Sequence, residues 1–145
     1  MIEVLIQQRF AAPPEKVFAV VTDHKRIEQW QPGTRVTLEK LGNPPPNGLG
    51  AVRKVSGGPL SVYEEVVRWE EPRAMDYRLI KGFPLRDHLG EIRFSPTPGG
   101  GTLVDYRIHY WVPWYAGGSV VGRLFGRQLQ KVISRAFEKL AEEIR

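Results

Sequence analysis

The chain has 145 residues, a formal charge of +5 and no cysteine, which predicts one domain of ordinary size held together by packing and excludes a disulfide framework and cysteine-ligated metal. No apolar run approaches the roughly 18 residues of a membrane span, and Met1-Ile2-Glu3-Val4 lacks the basic-then-apolar start of a signal peptide, so a cytoplasmic protein is expected. The positive charge permits nucleic acid or an anionic membrane as a partner without demanding either.

Ile2 to Phe10 sets Ile2, Val4, Ile6 and Phe10 against Glu3, Gln7 and Arg9, the period of a half-buried strand. Ala11-Ala12-Pro13-Pro14 breaks it. Proline suits a first helical turn, so Pro14 to Thr22 reads as a short helix burying Val17, Phe18 and Val21, and Asp23 to Trp30 as a second that stops at Pro32-Gly33. Strand alternation resumes from Arg35 to Leu41, and the proline-rich Gly42 to Gly48 is a loop. Further strands are expected over Gly50 to Val55, Leu60 to Trp69, Ala74 to Ile80, Asp87 to Phe94 and Thr102 to Val112, each beside its successor. The turns between them fall at Gly57-Gly58-Pro59, at Glu70 to Arg73, at Gly82-Phe83-Pro84 and at Thr97 to Gly101.

The last stretch, Ser119 to Arg145, is an amphipathic helix. At about 100° per residue Val121, Phe125, Leu129, Val132, Ile133, Ala136, Phe137, Leu140 and Ile144 fall within an arc of roughly 160°. Ser119 is the expected N-cap. Gly122 and Gly126 lie inside the apolar arc, which reads either as close packing on the sheet or as a hollow left by two missing side chains. On the opposite face Arg123, Arg127, Lys131 and Arg135 recur every fourth residue, a solvated face or a site for an anionic partner such as lipid headgroups or RNA.

One strand, two short helices, about six antiparallel strands and a long helix make an α+β layered domain. Several stretches resemble the START-like (SRPBCC) superfamily and its polyketide cyclase/dehydrase group: Ala12-Pro13-Pro14-Glu15-Lys16-Val17-Phe18 running to Asp23, Trp30 with Pro32, Gly48-Leu49-Gly50, Glu64 to Trp69 with Glu71-Pro72-Arg73, and Gly99-Gly100-Gly101-Thr102. The resemblance covers nearly the whole chain. It implies the helix-grip fold, a curved seven-stranded antiparallel sheet wrapped around the long C-terminal helix with a deep pocket between them, and one START-like domain over residues 1–145.

Alternation assigns the side chains facing such a pocket: Val104, Tyr106, Ile108 and Tyr110; His88, Gly90, Ile92 and Phe94; Met75, Tyr77 and Leu79. For Leu60 to Trp69 the two alternations are equally apolar and the facing stays open. The candidate ligand contacts are Trp30, Tyr77, Leu79, His88, Ile92, Tyr106, Ile108, Tyr110, Gly122, Phe125, Gly126, Leu129 and Ile133. An apolar interior with a few convergent hydroxyls suits a lipid, quinone or polyketide-like molecule, although buried tyrosines can equally be satisfied core residues. If the protein is an enzyme, His88 with Tyr106 or Tyr110 is the candidate acid/base set for a cyclisation or dehydration. His24 and His109 have no partners at ligand spacing, so neither metal nor cofactor is expected. Trp111, Pro113, Trp114 and Tyr115 form an aromatic cluster that can line a rim, meet a membrane or partner, or plug one end of the sheet.

Overall fold

The structure is a computed structural model that describes residues 1–30 and 33–145, and only the backbone of Trp30. Strand β1 (Ile2–Phe10) is followed by helices α1 (Pro14–Val21) and α2 (His24–Trp30), then by β2 (Thr34–Lys40), β3 (Val52–Gly57), β4 (Leu60–Glu70), β5 (Ala74–Lys81), β6 (Arg86–Pro96) and β7 (Thr102–Trp111). A 3-10 turn at Trp114–Ala116 leads into α3 (Gly118–Glu143). The seven strands form one antiparallel sheet in the order β1-β7-β6-β5-β4-β3-β2, the helix-grip arrangement.

Pro14 opens α1, where its missing N–H costs nothing. Thr22 ends that helix by donating its hydroxyl to the Phe18 carbonyl at 2.7 Å. Asp23 then caps α2, its carboxylate accepting from the Lys25 N–H at 3.1 Å. One end of the sheet is closed by aromatic packing: Phe18 meets Trp69 and Phe94 at 4.9 and 5.0 Å, and Phe10 meets Phe137 of α3 at 6.2 Å. Burial of each such ring contributes roughly 1.5–3 kcal/mol. Pro32 and the stop assigned to it lie outside the described residues.

The facing of β4 resolves in a way that neither simple alternation allows. Its pairing with β5 slips between Val66 and Arg68, so Val67 is an extra residue that reverses the alternation. Val62, Glu64 and Val66 face inward before the bulge and Trp69 faces inward after it.

For α3 one expectation requires correction, and of the two readings of its glycines the close packing holds. Ser119 is not the cap: the helix begins at Gly118, behind Gly117 at φ +105°, and no side chain caps it. Nor do Gly122 and Gly126 leave a hollow. A Cβ at Gly122 would lie 3.0 Å from Ile2 Cγ1, and one at Gly126 would lie 2.9 Å from the Tyr110 hydroxyl and 3.2 Å from Val4. The glycines let the helix backbone settle onto β1, so the first half of α3 is held against the sheet edge. Further along, Ile133, Ala136, Phe137 and Leu140 are buried, while Phe125 and Val132 remain more than a third exposed.

Candidate functional site

With one end of the sheet filled by aromatics and the glycines seated on β1, space remains over the middle strands in two adjoining chambers. The first, of about 110 Å³, is lined by Arg53, Glu64, Tyr77, Tyr106, Leu129 and Ile133, together with Val21, Ile27, Val55, Met75 and Ile92. The second, of about 190 Å³, lies between Tyr77, Leu79, His88, Ile108, Tyr110, Phe125 and Leu129, and its rim includes Leu60 and Phe83. Glu64, Tyr77 and Leu129 belong to both walls. Phe83 stacks on Phe125 at 5.9 Å, and Tyr110 meets Phe125 edge-on at 5.8 Å, which shapes the second chamber's mouth.

Of the residues singled out from the sequence, Leu79, His88, Ile108, Tyr110 and Phe125 line the second chamber, Ile92, Tyr106 and Ile133 the first, and Tyr77 and Leu129 both. Gly122 and Gly126 line neither, because they are spent on the contact with β1. The Trp30 side chain lies outside the described ones. Trp114 and Tyr115 do not plug the sheet: Trp114 is 87% exposed, and the two rings pack edge-on at 5.9 Å beyond the chambers.

The polar groups have definite states. The Tyr77 and Tyr106 hydroxyls bond to one another, and burial raises both pKa values above the ordinary range, so both stay protonated. Gly90 makes room for this pair: it sits opposite Tyr77 on β6, and a Cβ there would lie 2.3 Å from the Tyr77 ring. Tyr110 donates to the Gly122 carbonyl at 2.7 Å. His88 Nδ1 accepts the Leu79 N–H at 3.1 Å, which puts the proton of the neutral ring on Nε2. Burial lowers the His88 pKa from its ordinary 6.5. The unfolded chain therefore takes up a proton that the folded chain resists, and stability falls as pH drops below about 6.5 toward the depressed folded value. Urea denaturation at a series of pH values is expected to show this loss, and His88→Gln is expected to flatten it.

Sequence reasoning missed Arg53 and Glu64. Arg53 is only 6% exposed; its Nε donates to Glu64 Oε1 at 3.0 Å and its guanidinium lies 5.1 Å from the Tyr77 ring centre. A signal was present. A two-residue turn with Gly58 at φ +59° pairs Gly57 with Leu60, which sets Arg53 directly across from Glu64. Among the described residues no group of His, Cys, Asp and Glu is arranged to hold a metal ion.

The family model for polyketide cyclase / dehydrase and lipid transport matches residues 1–145. The chain belongs to this family. Polyketide cyclase/dehydrase-family membership and the fold together make it a START-like, ligand-binding scaffold. Comparison with curated protein sequences gives no significant match. Among solved structures, a START superfamily protein from Mycobacterium smegmatis superposes with a TM-score of 0.79 at 18% identity, over 97% of both chains. Norcoclaurine synthase from Thalictrum flavum, in complex with dopamine and hydroxybenzaldehyde, does so at 0.73 and 16% identity, over 99% of this chain and 88% of its own. The Aha1 dimer from Colwellia psychrerythraea reaches 0.73 at 11% identity, over 99% of this chain and 96% of the other. At such identities the likeness to each is one of fold alone.

Proposed function

We propose that this protein binds and carries a small, largely apolar molecule, seated across the two chambers between the middle strands and Phe125, Leu129 and Ile133 of α3. The observation that carries the reading is the paired cavity itself, whose walls are mostly aliphatic and aromatic with a few oriented polar groups. Either chamber alone falls short of the roughly 300 Å³ at which ligand pockets begin, so the ligand is small and spans both. A norcoclaurine synthase of the same fold in complex with two small aromatic compounds supports such a use of the scaffold.

Binding is favoured over a cyclase or dehydratase built on His88. Its Nδ1 already accepts a backbone N–H, and its remaining nitrogen carries a proton, so the ring offers no free base. Of the tyrosines, held protonated, Tyr110 spends its proton on the Gly122 carbonyl and the Tyr77–Tyr106 pair spends one of its two, which leaves that pair a single hydroxyl donor to orient a ligand.

Leu129 stands in the wall that both chambers share, so Leu129→Trp fills the space from the helix side. Titration of naphthalene, followed by its fluorescence, is expected to show at least tenfold weaker binding to this variant than to the parent, with a cooperative thermal transition retained. Equal affinity would sink the cavity as the binding site.

A second reading rests on the outer face of α3 and goes with membrane exchange of the ligand. Val120 and Leu124, 67% and 60% exposed, fall on the same helical face as Arg123, Arg127 and Lys131, which form no ion pair among the described residues. Exposed apolar residues interleaved with cations suit an anionic lipid surface; phosphate-only contact with RNA would leave Val120 and Leu124 without a role. No helix among the described residues is long and apolar enough to cross a membrane. Vesicles containing phosphatidylserine are expected to pellet the protein in a salt-dependent way, and R123E/R127E/K131E to abolish it. Retention of pelleting by this variant, or preference for RNA over vesicles, would refute the reading.

A further inference from the structure

Arg53 and Glu64 are an oddity in an apolar cavity. They form a one-to-one ion pair whose bond uses only Arg53 Nε and Glu64 Oε1. Among the described residues nothing bonds to the terminal guanidinium nitrogens or to Glu64 Oε2, although both side chains line the first chamber. The chamber therefore offers donors and an acceptor side by side, and its formal charges cancel.

That combination selects among head groups. A carboxylate or ammonium would place one uncompensated charge in a space taken from water, against Glu64 in the first case and Arg53 in the second. A ketone or ether can accept from Arg53 but leaves Glu64 Oε2 unmatched, and a hydrocarbon leaves both unmatched. A hydroxyl meets both, donating to Glu64 Oε2 while accepting from an Arg53 terminal N–H. The surrounding rings of Tyr77, Tyr106, Tyr110 and Phe125 favour an aromatic body through edge-to-face contacts.

Building on the cavity reading above, we propose that the ligand is a neutral hydroxyarene, its hydroxyl held by Arg53 and Glu64 in the first chamber and its ring system extending past Tyr77 and Leu129 into the second. The Arg53–Glu64 pair is then a recognition element for ligand polarity as well as a structural pair.

Three probes of one ring size separate the possibilities: naphthalene, 2-naphthol and 2-naphthoate, each titrated near neutral pH against the whole chain by probe fluorescence. The expected result is that 2-naphthol binds about tenfold or more tighter than either of the others, the magnitude of a hydrogen bond to a charged group. In R53M/E64L, which removes the pair without orphaning a charge, 2-naphthol and naphthalene are expected to bind alike. Equal binding of 2-naphthol and naphthalene to the parent protein would overturn the proposal, as would tightest binding of 2-naphthoate. The parent series decides this even if the double variant fails to fold. Failure of naphthalene and 2-naphthol alike to bind would instead refute the cavity reading, and the hydroxyarene proposal with it.

Discussion

Replacing Gly126 with leucine is expected to destabilise the fold by about 3 kcal/mol or more and to lower Tm by roughly 10 °C. The direction of the effect is diagnostic. Helix propensity alone would make the change favourable by roughly 0.5–0.8 kcal/mol, so a loss can come only from what the new side chain meets. It meets the Tyr110 hydroxyl at 2.9 Å and Val4 at 3.2 Å from the first added carbon. Tyr110 cannot swing away without giving up its 2.7 Å bond to the Gly122 carbonyl. Accommodation therefore requires α3 to lift from β1, which would also move Phe125 and Leu129 off the second chamber. Thermal denaturation by circular dichroism measures the effect, and a Tm at or above that of the parent would show an open space beside Gly126 and restore the hollow.

Arg53→Met is expected to cost about 3 kcal/mol, because it leaves the Glu64 carboxylate in the cavity wall without its cation. The lower end of the usual range applies, since the Glu64 side chain keeps 16% of its exposure. Glu64→Leu is expected to cost a similar amount, for the guanidinium it strands has a side-chain exposure of only 7%. Together, R53M/E64L should lie closer to the parent than the two losses added, since apolar replacement of both partners removes the penalty of an orphaned charge. A double-mutant cycle by urea denaturation reads this directly. Strict additivity would show that the two side chains do not act as a pair.

Much of this architecture was legible from residue order. The strands and helices follow from alternation, from the proline at the first turn of α1 and from the glycine-rich turns, and their ends agree with the structure to within a residue or two. The inward sets on β5, β6 and β7 were readable for the same reason: each residue of a regular strand turns to the opposite face from its neighbour. On β4 that rule failed. The bulge at Val67 reverses the faces midway, and no local feature of Leu60 to Trp69 announces it, because the slip is imposed by pairing with β5.

Residue order alone set the succession of elements, the apolar stripe of the last helix and the inward facing of eleven side chains that line the cavity, since these depend on periodicity and turn chemistry. What the helical glycines are for, and which charges face inward, depends on what the fold brings opposite them. A missing side chain means close contact or empty space according to what stands opposite, and Ile2, Val4 and Tyr110 stand opposite. Arg53 and Glu64 look like surface residues until strand pairing brings them together beneath Tyr77, where each makes the other's burial tolerable.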